Sequence, residues 1–120
     1  MHAPWWWPFG RVDEIEPREL QLKIGAGADL QLLDVREHFE HEAGHIAGAR
    51  NVPIHDLPRR LDALRLDPRR PVVAICLSGH RSIPAYRLLK RKGFREVRSL
   101  AGGMMAWRRA KLPTTRDRTA

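Results

Sequence analysis

The one cysteine of the chain, Cys76, stands where an apolar run gives way to a short polar loop. Residues 72–75 have the composition of a buried strand, and residues 77–81 include a glycine, a histidine and an arginine before a helical pattern starts. A loop between a strand and a helix directs backbone N–H groups toward its centre. A thiol in this position can be stabilised as a thiolate by the helix N-terminus and by nearby cations. The pattern predicts chemistry at sulfur.

Three kinds of group are placed to favour negative charge on the Cys76 sulfur: the loop amides, the N-terminus of the following helix and Arg81. They are needed because a free cysteine thiol, with a pKa of about 8.5, is mostly protonated at neutral pH. Gly79 permits a tight backbone bend, since it has no Cβ. The same groups would hold an anionic substrate.

Strand and helix patterns alternate along the chain from residue 15 onward. A helix begins within 16–20 and ends at Gly25 and Gly27, where glycine terminates the pattern. The predicted strands are 30–35, 49–52, 72–75 and 97–100. The other predicted helices are 36–43, 57–66, 83–92 and 104–110. This alternation predicts an α/β fold, a mostly parallel central sheet with helices on both faces. Ligands of such sheets bind at the carboxyl ends of the strands, where Cys76 lies.

The chain of 120 residues is long enough for one domain with a hydrophobic core. We divide it into an N-terminal arm (1–12), a domain (13–112) and a C-terminal tail (113–120). The arm contains three consecutive tryptophans, Trp5, Trp6 and Trp7, which we expect to fold back over an apolar groove. A partner or a membrane interface is the alternative contact for them.

Basic residues exceed acidic ones, 22 to 14, for a formal net charge of +8. This balance favours small anions or an acidic protein as partners. The basic residues are dispersed and form no nucleic-acid-binding module, so nucleic acid is not a predicted partner. No apolar stretch approaches the ~20 residues of a membrane span, and no signal-peptide pattern is present, which predicts a soluble cytoplasmic protein. A single cysteine excludes an internal disulfide and a CxxC pair.

Four segments, in this order and spacing, resemble the motifs of single-domain rhodaneses, a sulfurtransferase family. They are Leu-Asp-Val-Arg-Glu (33–37), Gly-His-Ile-Ala-Gly-Ala (44–49) followed by Asn-Val-Pro (51–53), Cys-Leu-Ser-Gly-His-Arg-Ser (76–82), and Leu-Ala-Gly-Gly-Met (100–104) with Trp107. The resemblance implies a rhodanese-like fold and an enzyme in which Cys76 takes sulfane sulfur from a donor such as thiosulfate, forming a persulfide. The sulfur then passes to cyanide or a thiol, with neither a cofactor nor a metal.

The resemblance also implies roles for the site residues. The substrate-binding set comprises Leu77, Ser78, Gly79, His80, Arg81, Ser82 and Arg36. For Arg81, binding of the donor's sulfonate oxygens and bracing of the loop against Asp34 or Glu37 are equally open. Arg36 would hold an anionic donor or form a salt bridge at the corner near Asp34, which is assigned a structural role. Ser82 is predicted to cap the following helix, and His80 to be an exposed residue that tunes the acceptor or adds positive charge.

Other functions compete with this interpretation. Phosphatases and arsenate reductases of similar fold also use a cysteine in an anion-binding loop, but with one more residue than the four between Cys76 and Arg81. A non-catalytic rhodanese-like binding module and a sulfur relay to a partner protein are further alternatives. The spacing of His38, His41 and His45 allows a zinc site on a helix, except that Gly44 is expected to end that helix before the third ligand.

Overall fold

A sheet of five parallel strands forms the centre of the computed structural model, which describes residues 4–7 and 10–118. The spatial order of the strands is β1-β5-β4-β2-β3, and every neighbouring pair is parallel. The strands are β1 (Glu14–Ile15), β2 (Gln31–Asp34), β3 (Arg50–Asn51), β4 (Val72–Ile75) and β5 (Val97–Leu100). The predicted α/β fold with a parallel sheet is confirmed.

Five α-helices connect and cover the strands: α1 (Pro17–Gly25), α2 (His38–Ala43), α3 (Leu57–Arg60), α4 (Ser82–Arg91) and α5 (Gly103–Arg109). Side chains of β4 point alternately to the two faces, as a pleated strand requires. Val72 and Ala74 pack with α3 and α4, whereas Val73 and Ile75 pack with α1 and α5. Helices therefore bury both faces of the sheet, which explains why β4 is apolar throughout.

The predicted bounds of β4 and β5 are confirmed, but the helix predicted over 57–66 is wrong. Only Leu57–Arg60 (α3) is α-helical there; a 3₁₀ turn (Ile54–Asp56) precedes it, and a second 3₁₀ turn (Asp62–Leu64) follows it and ends where Arg65 adopts φ 54°. The leucine stripe is nevertheless buried at Leu57, Leu61 and Leu64. The strand β1 was missed because two residues are too few for a periodic pattern.

The described part of the arm lies on α4. The guanidinium of Arg87 donates hydrogen bonds to the carbonyl oxygens of Pro4 (3.1 Å), Trp5 (3.3 Å) and Trp7 (2.6 Å). Trp5 is half-buried against the core that α3 and α4 share with the sheet, whereas Trp6 and Trp7 are exposed, so only Trp5 packs on the domain as expected. Residues 1–3 and 8–9 of the predicted arm, and residues 119–120 of the predicted tail, lie outside the described residues.

The described tail returns to the domain near α2. His45 and Thr115 exchange two backbone hydrogen bonds (2.9 and 2.8 Å), and the indole of Trp107 donates to the carbonyl of Pro113 (2.9 Å). Within residues 4–7 and 10–118, every helix is too short or too polar to cross a membrane.

Candidate active site

Cys76 follows β4 directly, at the carboxyl end of the sheet. Its Sγ accepts a hydrogen bond from the backbone N–H of Gly79 at 2.8 Å, so the loop turns back over the sulfur. Gly79 adopts φ +105°, a conformation that L side chains rarely take, which accounts for glycine at this position. The residue Cys76 is only 1% exposed, so its side chain is buried beneath the loop.

Ser82 lies under the same loop, and the prediction that it caps the helix is wrong. It is the first residue of α4; Arg81 occupies the cap position. The Ser82 hydroxyl donates to the carbonyl of Gly79 (2.9 Å), hydrogen-bonds to Ser99, and accepts a weak hydrogen bond from the Cys76 thiol (3.6 Å). The helix starts one residue earlier than predicted, so this hydroxyl turns into the site instead of toward the helix amides.

The N-terminus of α5 holds the base of the loop. The N–H of Met104 donates to the carbonyl of Cys76 (2.8 Å), and the N–H of Met105 donates to that of Leu77 (2.9 Å). This approach requires Gly103, whose φ is +60° and at which a Cβ would lie 2.6 Å from the carbonyl carbon and oxygen of Leu77. The pair Gly102-Gly103 was the sequence signal for this contact, although sequence analysis gave it no role.

Arg81 forms a two-pronged ion pair with Glu40 of α2, with N–O distances of 2.6 and 2.9 Å. The Arg81 hydrogen bond is the main cause that lowers the pKa of Glu40, and Glu40 in turn raises the pKa of Arg81. A negative charge on Cys76 is a further, smaller cause that raises the pKa of Arg81. The contacts are those of the bracing alternative, in which α2 fixes the end of the loop.

The carboxylate that braces Arg81 is not one of the two that were predicted. Asp34 is already paired with Arg36, and Glu37 forms a capping box with Glu40 at the start of α2. The sequence carried a signal for Glu40, since a glutamate three residues after an N-cap is the usual second member of that box.

Asp34 and Arg36 form a buried ion pair in which both side chains are 1% exposed. Arg36 donates to the Asp34 carboxylate through Nε (3.0 Å) and Nη2 (2.8 Å), and to the carbonyl of Gly44 (2.9 Å). These contacts match the salt-bridge alternative for Arg36. Asp34 also hydrogen-bonds to Nδ1 of His41 (2.8 Å), whose pKa is lowered by burial.

The three histidines that suggested zinc have other partners. Gly44 follows the last residue of α2, so His45 lies beyond the helix, as predicted. Nδ1 of His38 bonds to Asn51 (2.6 Å) and Nδ1 of His45 to the carbonyl of His41 (2.7 Å), while the rings of His41 and His45 stack at 3.6 Å. These contacts give the histidines a structural role at the corner between α2 and β3.

The remaining loop residues face outward to different extents. Ser78 and His80 are exposed, and their side chains approach each other at 3.3 Å. Leu77 is partly buried against the core that contains Met104 and Trp107. The exposed position expected for His80 is thus observed, whereas contacts of these residues with a substrate stay predictions.

Comparison with known proteins identifies the family. The sequence model of the rhodanese-like domain matches residues 16–110, which is most of the chain. The chain belongs to the rhodanese-like family. Its relatives include a sulfurtransferase of Allochromatium vinosum, 36% identical over 102 residues that cover 85% of this chain and 94% of that protein.

A second relative of this rhodanese-like domain is the thiosulfate sulfurtransferase GlpE of Stutzerimonas stutzeri, 37% identical over 78% of this chain and 83% of that one. The crystal structure of a rhodanese-related protein from Thermoplasma volcanium superposes with a TM-score of 0.78 at 30% identity, covering 88% of this chain and 99% of the other. The matched part of a relative's length differs among these proteins, and for one Bacillus subtilis relative the chain spans 60% of it. Membership of this family places the chain among sulfurtransferases in general terms.

Proposed function

We propose that this chain is a sulfurtransferase in which Cys76 carries sulfane sulfur as a persulfide. The Cys76 thiolate attacks the sulfane sulfur of thiosulfate, a new S–S bond forms, and the old S–S bond breaks with its electron pair on the departing sulfite. A nucleophilic acceptor, cyanide or a thiolate, then attacks the outer sulfur of the persulfide. That second step returns the electron pair of the Cys76 S–S bond to Sγ and restores the thiolate.

The observation that carries the proposal is the hydrogen bond from Gly79 N–H to Cys76 Sγ at 2.8 Å, inside a loop braced at both ends. The α5 amides hold the carbonyls of Cys76 and Leu77, and Glu40 holds Arg81. A donor fixed in this way favours negative charge at sulfur without having to reorganise during the reaction. Both the thiolate and the persulfide are anions that such a loop would stabilise.

The proposed donor is a small anion such as thiosulfate, supported by the name of the Stutzerimonas relative and by the net charge of +8. Because Arg81 and Arg36 are both committed to carboxylates, we assign donor binding chiefly to the loop amides and helix N-terminus. An acidic protein as acceptor, in a sulfur relay, would use the same persulfide.

Intact-protein mass spectrometry tests this function. After incubation with thiosulfate, the protein is expected to gain the mass of one sulfur atom and to lose it on addition of cyanide. The variant Cys76→Ser is expected to gain no mass, since the chain has no second cysteine. Circular dichroism of the variant would establish that it is folded.

A native protein whose mass stays unchanged with thiosulfate and with organic persulfide donors would overturn the proposal. So would rapid hydrolysis of aryl phosphates without persulfide formation, because that result would assign the Cys76 loop to phosphate chemistry.

A further inference from the structure

A pocket of about 430 Å³ lies between the N-terminal arm and the first turn of α4. The residues lining it are Trp5, Trp6, Ile54, His55, Arg81 and Pro84. Arg81 belongs to both this pocket and the Cys76 loop, so the pocket adjoins the loop of the proposed sulfur-transfer site. We call it the arm pocket.

The arm builds one wall of this pocket. Arg87 ties the arm to α4 through three backbone carbonyls, and Trp5 packs on the core, so the wall is held in place before any ligand arrives. Trp6 is different, because 57% of its surface is exposed. An indole with so much exposed apolar surface beside a pocket is available for contact with a ligand.

The charges around the arm pocket are already paired. Arg81 is bound to Glu40, and His55 lies 3.4 Å from Glu37 and 3.7 Å from Asp56. An inorganic dianion would therefore find no uncommitted charge in the lining, whereas an apolar or aromatic group would be contacted by the two indoles, Ile54 and Pro84. The volume is also within the range of about 300–1,000 Å³ typical of pockets for small organic molecules, and far larger than cyanide needs.

We propose that the arm pocket binds the uncharged, aromatic or aliphatic body of an organic thiol that accepts sulfur from Cys76. This assignment rests on the proposed function, which supplies the persulfide. The body lies against Trp6, and the thiol points past Arg81 to the outer sulfur. The acceptor thiolate forms an S–S bond with that sulfur, the S–S bond to Cys76 breaks, and its electron pair stays on Sγ. The product is an organic persulfide, with no external oxidant or reductant.

Because Cys76 is buried, a separate pocket that holds the acceptor's body would help its thiol to reach the persulfide. Cys76 is buried and its Sγ is bound by the loop, so an acceptor would meet the outer sulfur of the persulfide. Binding of its body in an adjoining preformed pocket raises the local concentration of its thiol at the reacting atom.

The test uses two thiols with similar thiol pKa values, benzyl mercaptan and 2-mercaptoethanol, of which only the first has an aromatic body. The protein is loaded with thiosulfate, freed of excess donor, and discharged by each thiol, with the remaining persulfide measured by mass spectrometry. We expect the native protein to prefer benzyl mercaptan, and Trp6→Ala to lower that preference about tenfold. Trp6→Phe should restore most of it, because the ring can still contact the body.

Leu22→Ala is the matched control, since Leu22 is 73% exposed on α1, which packs on the opposite face of the sheet from α4. It should leave both discharge rates unchanged. Normal loading with the same preference in the native protein and in Trp6→Ala would overturn the arm-pocket assignment alone. Failure of the loading step would instead overturn the proposed function and this assignment with it.

Discussion

At the scale of single residues, the fixed position of Arg81 constrains the mechanism. Its guanidinium spans from the Cys76 loop to α2 and is 32% exposed, while its partner Glu40 is 15% exposed. A partly buried, two-pronged pair of this kind holds its geometry better than an exposed single contact. We therefore propose that Arg81 acts as a positioning residue for the loop, in which the Gly79 N–H contacts Cys76 Sγ.

This role predicts the effect of Arg81→Ala on the two half-reactions. Persulfide formation from thiosulfate and discharge by cyanide should both slow by about tenfold, equivalent to about 1.4 kcal/mol, because both use the same loop. Single-turnover mass spectrometry of each half-reaction provides the measurement.

Arg70→Ala is the control for the loss of one positive charge. Arg70 pairs with Asp29 near the amino end of β4, far along the strand from Cys76, and its removal should leave both rates unchanged. A loss confined to persulfide formation in Arg81→Ala would contradict the positioning role and assign Arg81 to the donor.

Much of this site was predictable at the level of residue type. The cysteine, the glycine turn and the arginine were all indicated by the order of residues 76–81. The partner of Arg81 was not, because Glu37 and Glu40 are both acidic and close in sequence, and both side chains take part in the capping box of α2. Pairing between residues that are 41 positions apart depends on the packing of α2.

At the scale of elements, the site depends on the closeness of α5 to the Cys76 loop. Two properties of Gly103 are required for this approach. Its positive φ is rare for residues with a side chain, and a Cβ at this position would collide with the backbone of Leu77. The amides of Met104 and Met105 then engage the carbonyls of Cys76 and Leu77. An element at the end of the domain thus holds the start of the Cys76 loop.

Gly103→Ala is expected to destabilise the fold by about 1–3 kcal/mol, through backbone strain. It should also slow persulfide formation by about 100-fold if the loop is displaced by ~1 Å. Thermal unfolding and the initial rate with thiosulfate measure the two effects.

Gly25→Ala is the matched substitution, because Gly25 ends α1 without a positive φ and a Cβ there meets nothing within 4 Å. Its stability and rate should be close to those of the native protein. Equal behaviour of the two variants would contradict the role of Gly103.

The elements themselves were predictable to different degrees. The apolar, β-branched run at 72–75 identified β4 with its bounds, since burial on both faces leaves a strong compositional signal. The bounds of β5 were also predicted correctly, although its sequence, Val-Arg-Ser-Leu, carries a weaker signal. The leucine stripe at 57–66 predicted burial correctly but the wrong backbone, because 3₁₀ turns place apolar residues at nearly the same spacing as an α-helix. Propensity alone does not separate these two conformations.

At the scale of the whole molecule, the charge of +8 should draw anionic donors to the protein. Salt weakens such attraction, since the Debye length falls from about 30 Å at 0.01 M to about 8 Å at 0.15 M ionic strength. We expect kcat/KM for thiosulfate to fall by about threefold or more over this range, while kcat at saturating thiosulfate stays level. Initial rates at several salt concentrations measure both, and a constant kcat/KM would contradict electrostatic steering.

The strand order also has a consequence for assembly during synthesis. Among the described strands, β1 pairs only with β5, and Ile15 and Leu100 are 85 positions apart. Contacts this distant in sequence form late, because the intervening chain must first be made and ordered. On the ribosome, β2 can meet β4 well before β1 has any strand to join. The segment that is translated early is thus fixed late, when β5 has been made.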